Sequence, residues 1–106
     1  MGQNGAMAEA KPDEVLDALA RDIRLRVFLR DGKIDAMPAK HARRRQLLAE
    51  VVQVFEPGVR YPERQVNDVL GSLYPDYAAL RRYLVDEDFL GREGGEYWRT
   101  GGPVSR

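Results

Sequence analysis

The chain has 106 residues and a mass of 12.0 kDa, with 43% hydrophobic and 32% charged residues, 17 basic against 17 acidic side chains, and no cysteine. This is one small domain near the commonest domain size, able to bury about 65% of its unfolded surface. Disulfides, thiol chemistry and cysteine-ligated metals are excluded, and apolar runs such as Leu47-Leu48-Ala49 and Val51-Val52 fall far below the roughly 20 residues that span a bilayer.

The opening MGQNGAMAEAK is small, polar and aperiodic, so residues 1–12 read as a disordered lead-in. No basic region followed by an apolar stretch is present there, so secretion is not signalled and a cytoplasmic location is expected. Ala6 stands where a myristoylation motif wants Ser or Thr. From Asp13 the pattern changes: Val15, Leu16, Leu19 and Ile23 recur at helical spacing, Pro12 precedes two acids, and Asp17 and Arg21 form an i,i+4 pair. A first, mostly acidic helix is predicted. Next, RLRVFLRDGKIDAMP alternates charged and apolar residues around Asp31-Gly32, a dipeptide that favours positive φ, and predicts a short hairpin.

Pro38 opens a long segment, AKHARRRQLLAEVVQVF, in which Leu48, Val51, Val52 and Phe55 line one helical stripe. Glu56-Pro57-Gly58 ends that helix, and Tyr61-Pro62-Glu63 starts another, with proline tolerated in its first turn and an acid favoured there by the dipole. The core face of this second helix is Val66, Val69, Leu70 and Leu73. After Tyr74-Pro75, Asp76 is placed to cap a third helix with Tyr77, Leu80 and Leu84 on one side. FLGREGGEYWRT then sets two alternating runs around Gly94-Gly95, a second hairpin. Tyr97 and Trp98 fall on opposite faces of its last strand, one for the core and one partly exposed.

Three helices with short links and a closing hairpin match a winged helix-turn-helix arrangement. The expected fold class is therefore α+β: residues 13–100 form a single domain with a three-helix core and a β-hairpin wing, plus the extra N-terminal helix and the short hairpin. Residues 101–106 read as a flexible tail.

The strings RYPERQVNDVL and YAALRRYLVDEDFLGREGGEYWR, above all LRRYLVDE at 80–87 and YWR at 97–99, resemble a bacterial domain family of unknown function. The resemblance spans about Phe28 to Arg99. It implies a domain found alone or behind an arsenic-repressor-type helix-turn-helix, and so a part in transcriptional regulation by association. Two positions depart from that pattern. Pro62 replaces a Thr and removes a hydroxyl N-cap, and Asp88 replaces a glycine after the third helix, where the left-handed conformation is harder for Asp. No helix-turn-helix precedes this copy, so DNA contact is expected from the domain itself.

The balanced charge is unevenly spread. Residues 1–39 hold six basic and seven acidic side chains, 40–82 eight and five, and 83–106 three and five, so the middle carries +3 and the flanks −1 and −2. Lys40, Arg43, Arg44 and Arg45 open the long helix against its dipole, an unfavourable placement of about 0.3–1 kcal/mol each, with no acid three or four positions away. That run has two readings: it meets an external anion such as phosphate, or it is a solvated or internally paired face. In the second, His41 and Arg44 cover the end of the core in line with Leu48 and Phe55, or the acids of the first helix neutralise the run.

On the third helix Arg81 and Arg82 lie off the core face, where a recognition helix presents side chains to DNA. Arg82 has Asp86 four residues on; Arg81 has no such partner. Ala78 and Ala79 are too short to read bases. In the wing, Arg92 and Arg99 are candidate phosphate contacts, while Glu93 and Glu96 flank the tip and repel a backbone.

Catalysis has little basis. The one histidine, His41, has no Asp, Ser or second His near it in sequence, Asp86, Glu87 and Asp88 point in three directions from a helix, and no glycine-rich phosphate loop or dinucleotide fingerprint occurs. No enzyme, metal, cofactor or membrane partner is expected. Two functions stay in view. One is a DNA-binding winged-helix module of a bacterial regulator, binding double-stranded DNA through Lys40, Arg43, Arg44, Arg45, Arg81, Arg82, Arg92 and Arg99. The other is a winged-helix protein-interaction module without DNA binding, with another protein or a second copy as partner, the 13–24 helix pairing with its copy.

Overall fold

The computed structural model describes residues 10–103; residues 1–9 of the expected lead-in and 104–106 of the expected tail lie outside them. Helix α1 spans Pro12–Arg21, with proline at its first position and the Lys11 amide donating to Glu14 Oε1 at 2.9 Å. Ala10, expected within the lead-in, donates its amide to the Gln53 carbonyl at 2.8 Å. Val15 and Leu19 are buried. Ile23, assigned to the same stripe, is instead 70% exposed, because the chain turns extended at Asp22 and helical spacing no longer governs where Ile23 points.

A 3-10 turn at Arg26–Phe28 leads into the first hairpin, β1 (Leu29–Arg30) and β2 (Lys33–Ile34). Asp31 at φ 52° and Gly32 at φ 78° are both left-handed, the twist a two-residue hairpin loop requires. The hairpin docks on the rest of the domain: the Ile34 amide donates to the Leu73 carbonyl at 2.9 Å, and Lys33 Nζ to that of Ser72 at 2.7 Å.

Helix α2 covers His41–Val51 and tightens into a 3-10 turn at Val52–Val54. It begins three residues later than Pro38, which is buried, with Lys40 extended at the cap. Leu48, Val51, Val52 and Phe55 are fully buried, as the stripe predicts. Each such side chain withdrawn from water contributes about 1.5–3 kcal/mol.

Arg60–Pro62 forms β3, an element the sequence reading lacks because Tyr61-Pro62 there serves only as a helix start. Proline cannot donate to a ladder, but here it closes a short edge strand, where no donor is needed. β3 pairs antiparallel with β5 (Glu96–Arg99), placing Arg60 opposite Trp98 and Tyr61 opposite Tyr97; β5 pairs with β4 (Leu90–Glu93) across Gly94-Gly95, giving the order β3-β5-β4. Gly91 faces Trp98 so closely that a Cβ would lie 2.8 Å from the indole; the bare strand position lets the ring lie across the sheet.

Helix α3 is Glu63–Gly71 and α4 is Tyr77–Asp86. Val66, Leu70, Leu73, Leu80 and Leu84 are fully buried between them and α2, while Val69 packs at the margin. Asp76 accepts the Ala79 amide at 3.1 Å, the cap read from sequence. Tyr77, assigned to the core face, is 42% exposed: it occupies the first turn, beyond the reach of the core, with its ring edge over Gly71. At the other end Asp88 adopts φ 62°, the Asp88 amide bonds Val85 and the Phe89 amide bonds Leu84 at 2.9 Å. This is a Schellman stop built on Asp where glycine is the cheaper residue.

Among the described residues, then, four helices and two small antiparallel sheets make an α+β domain compatible with a small winged-helix-like fold. None of the helices is long and apolar enough to cross a membrane.

Candidate nucleic-acid interface

The two flanks of α4 hold the candidate arginines in different states. On the flank toward α2 lies Glu87, its side chain 15% exposed, which accepts from Arg45 Nη1 at 2.8 Å and stands 2.7 Å from His41 Nε2. Partial burial pushes the Glu87 carboxyl up, but the hydrogen bonds and positive charges of His41 and Arg45 outweigh it and hold the group below its ordinary value. Arg45 also stacks over the Phe89 ring at 4.6 Å. Arg44 is half-buried, donates from Nη1 to the Pro38 and Ala39 carbonyls at 3.1 and 3.2 Å, and lies 5.1 Å from the Tyr83 ring centre. These two arginines are internally engaged, and the acid involved is Glu87 rather than any acid of α1. Arg43 reaches the Arg24 carbonyl at 3.4 Å, and the Lys40 side chain makes no hydrogen bond or ion pair among the described residues.

The flank toward the hairpin is different. Ala78, Arg81, Arg82, Val85 and Asp86 from α4 meet Arg92 and Tyr97 from β4 and β5 around a cleft of about 140 Å³. Its floor is Tyr97, 1% exposed, whose hydroxyl donates to Glu63 Oε1 at 2.9 Å. Burial and that bond keep the phenol protonated above its ordinary range. The guanidiniums of Arg81 and Arg92 sit 5.9 and 5.8 Å from the Tyr97 ring centre, and Arg81 Nη1 donates to Asn67 Oδ1 on α3. Strand alternation turns Tyr97 inward and leaves Trp98 half-exposed, as read from sequence. The side chains of Arg82 and Arg92 make no hydrogen bond or ion pair among the described residues, and the i,i+4 pair of Arg82 with Asp86 does not form.

The last candidate, Arg99, is consumed by the fold. It is half-buried and donates from Nε to the Gly101 carbonyl at 3.0 Å, from Nη1 to that of Phe55 at 3.2 Å and from Nη2 to that of Pro103; burial lowers its pKa. At the tip, Glu96 bonds Arg60 Nε at 2.9 Å, and Arg60 covers Trp98 at 4.2 Å. Sequence reasoning missed Arg60, Glu63, Asn67 and Glu87 as supports, because each finds its partner 14 to 46 positions away. The resemblance motif does contain Glu63, Asn67 and Glu87, but it says nothing of their pairing. Among the described residues no group of three or more His, Asp or Glu is placed to hold a metal ion.

Residues 33–99, more than half of the chain, match the family described as an uncharacterized protein conserved in bacteria (DUF2087), and the chain belongs to that family. Comparison with curated proteins and with solved structures finds no match. The matched stretch takes in the β1–β2 turn exit, the helical core, the cleft and the hairpin, and leaves α1 outside.

Proposed function

We propose that the chain is a DNA-binding winged-helix module of a bacterial transcriptional regulator. The observation that carries this reading is the cleft. α4 is read as the second helix of a helix-turn-helix, the hairpin stands beside it, and between them three guanidiniums gather against a single carboxylate, two of them without a hydrogen-bond or ion-pair partner among the described residues. Arginine is suited to phosphate oxygens because its planar fork donates two parallel bonds. With alanines at 78 and 79, the surface is better built to hold a backbone than to read bases.

Fluorescence anisotropy with a labelled duplex at about 50 and 200 mM salt tests it, since each phosphate neutralised contributes about 0.9 to the slope of log affinity against log salt. Micromolar binding is expected at low salt. Arg82→Ala and Arg92→Ala should each weaken it and flatten that slope by about one ion. Absence of binding at low salt sinks the assignment.

A second reading, a protein-interaction module, rests on Ile23 and Val27, which are 70% and 72% exposed on the connection after α1. α1 itself spends Val15 and Leu19 inside the domain, so the exposed apolar surface left for self-pairing is Ile23 and Val27 rather than the helix face. Ile23→Ser with Val27→Ser tests this by sedimentation: a dimer that persists in the double variant excludes the patch.

A further inference from the structure

The α4–hairpin cleft has a charge and a size that define its ligand more closely than "DNA". Arg81, Arg82 and Arg92 bring three positive charges and Asp86 one negative, which leaves two positive charges on the lining. At about 140 Å³ the space is well below the roughly 300–1,000 Å³ of pockets that enclose whole small molecules, so it accommodates a group rather than a molecule. Its walls are ordered from behind: Asn67 holds Arg81, and Glu63 holds the Tyr97 ring over which Arg81 and Arg92 extend. Three guanidiniums around one small volume repel each other, and a bound anion relieves that repulsion in proportion to its charge.

A backbone diester brings one negative charge; a phosphate monoester brings about 1.5 to 2 near neutral pH, with three acceptor oxygens free to meet separate guanidiniums. We infer that the cleft is a phosphate-monoester site, at which a doubly charged terminal phosphate displaces the singly charged backbone phosphate of DNA. This rests on the proposed reading of the same cleft and gives it a regulatory ligand. The phosphate belongs to one of two sources, a phosphorylated small molecule or the 5′ end of a strand.

The test uses the ¹⁵N-labelled full chain, following the arginine Nε–H signals during titration with inorganic phosphate, with chloride at matched ionic strength as reference. Saturable shifts are expected on Arg81, Arg82 and Arg92 with phosphate and not with chloride. Arg92→Gln should weaken phosphate binding about tenfold, the loss of one charge-assisted hydrogen bond, and Asp86→Asn should tighten it by removing the competing carboxylate. Arg92 and Asp86 are exposed, so both variants are expected to fold. Shifts that are absent, or equal in chloride, overturn the inference. Duplex binding with an ionic slope but no phosphate shifts leaves the DNA reading standing and removes this one; phosphate binding without duplex binding does the reverse. Displacement of the duplex by adenosine 5′-monophosphate assigns the site to small molecules. Tighter binding of a 5′-phosphorylated than an unphosphorylated duplex assigns it to strand ends.

Discussion

The two flanks of α4 carry the same residue type to opposite ends. Toward α2, Arg44 and Arg45 are bound to carbonyls, to Glu87 and to the faces of Tyr83 and Phe89; toward the hairpin, Arg82 and Arg92 lack a hydrogen-bond or ion-pair partner among the described residues, and Arg81 is held only along one edge. An arginine that has already exchanged water for protein acceptors has little left to offer a ligand, whereas one that still faces water does. The contrast separates arginines that hold the fold from arginines available for function, although RRR at 43–45 is the more conspicuous sequence feature.

The comparison can be broken most severely at its shared support. Leu84→Ala removes a fully buried side chain on which both flanks depend and should cost about 2–5 kcal/mol, read as the urea midpoint; a loss under about 1 kcal/mol would mean that α4 is not anchored by its core face. Arg44→Ala sharpens it. Loss of two carbonyl contacts and of the cover over Tyr83 should lower stability by about 1–3 kcal/mol, visible as a drop in Tm of several degrees.

Glu87 supplies the pH dependence. Its folded pKa lies below the ordinary carboxylate value, so its contribution to stability is complete above the ordinary range and drains away as pH falls through the lowered folded value. Glu87→Gln should therefore lower Tm at neutral pH and make the fall in Tm between neutral and acid pH shallower than in the parent. An unchanged acid limb would remove Glu87 from the set of groups that stabilise the folded state. The smallest stability effect belongs to the open flank: Arg82→Ala should leave unfolding within about 0.5 kcal/mol of the parent while flattening the salt slope of duplex binding. A large loss of stability there would erase the distinction between the flanks.

Much of the fold was legible in short windows. Asp31-Gly32 and Gly94-Gly95 announced two hairpins, and in both the left-handed φ values are present; Asp76 announced a cap that forms; Leu48, Val51, Val52 and Phe55 announced a buried stripe. The misreadings have two origins. Ile23 and Tyr77 continued an apolar period past the point where their helices had core to meet, and β3 was hidden because Tyr61-Pro62 satisfies a helix-start pattern and an edge strand equally well. The candidate site was read as eight basic residues, yet only an assembled structure separates Arg99, bonded to three carbonyls, from Arg92, seven positions earlier on the same hairpin.

By itself, then, the sequence determined the elements whose causes are local: helical stripes, turns that need left-handed residues, and the absence of cysteine chemistry. Membership of the bacterial family was legible as well, because a motif is a linear object. Tertiary structure alone decided which charges are spent. Glu87 lies 46 positions from His41 and 42 from Arg45, and Arg60 on β3 lies 36 from Glu96, the residue of β5 that its side chain bonds. Pairings over such distances cost loop closure and are repaid only when the helical core brings the partners together, so no window of sequence contains the information that sets them.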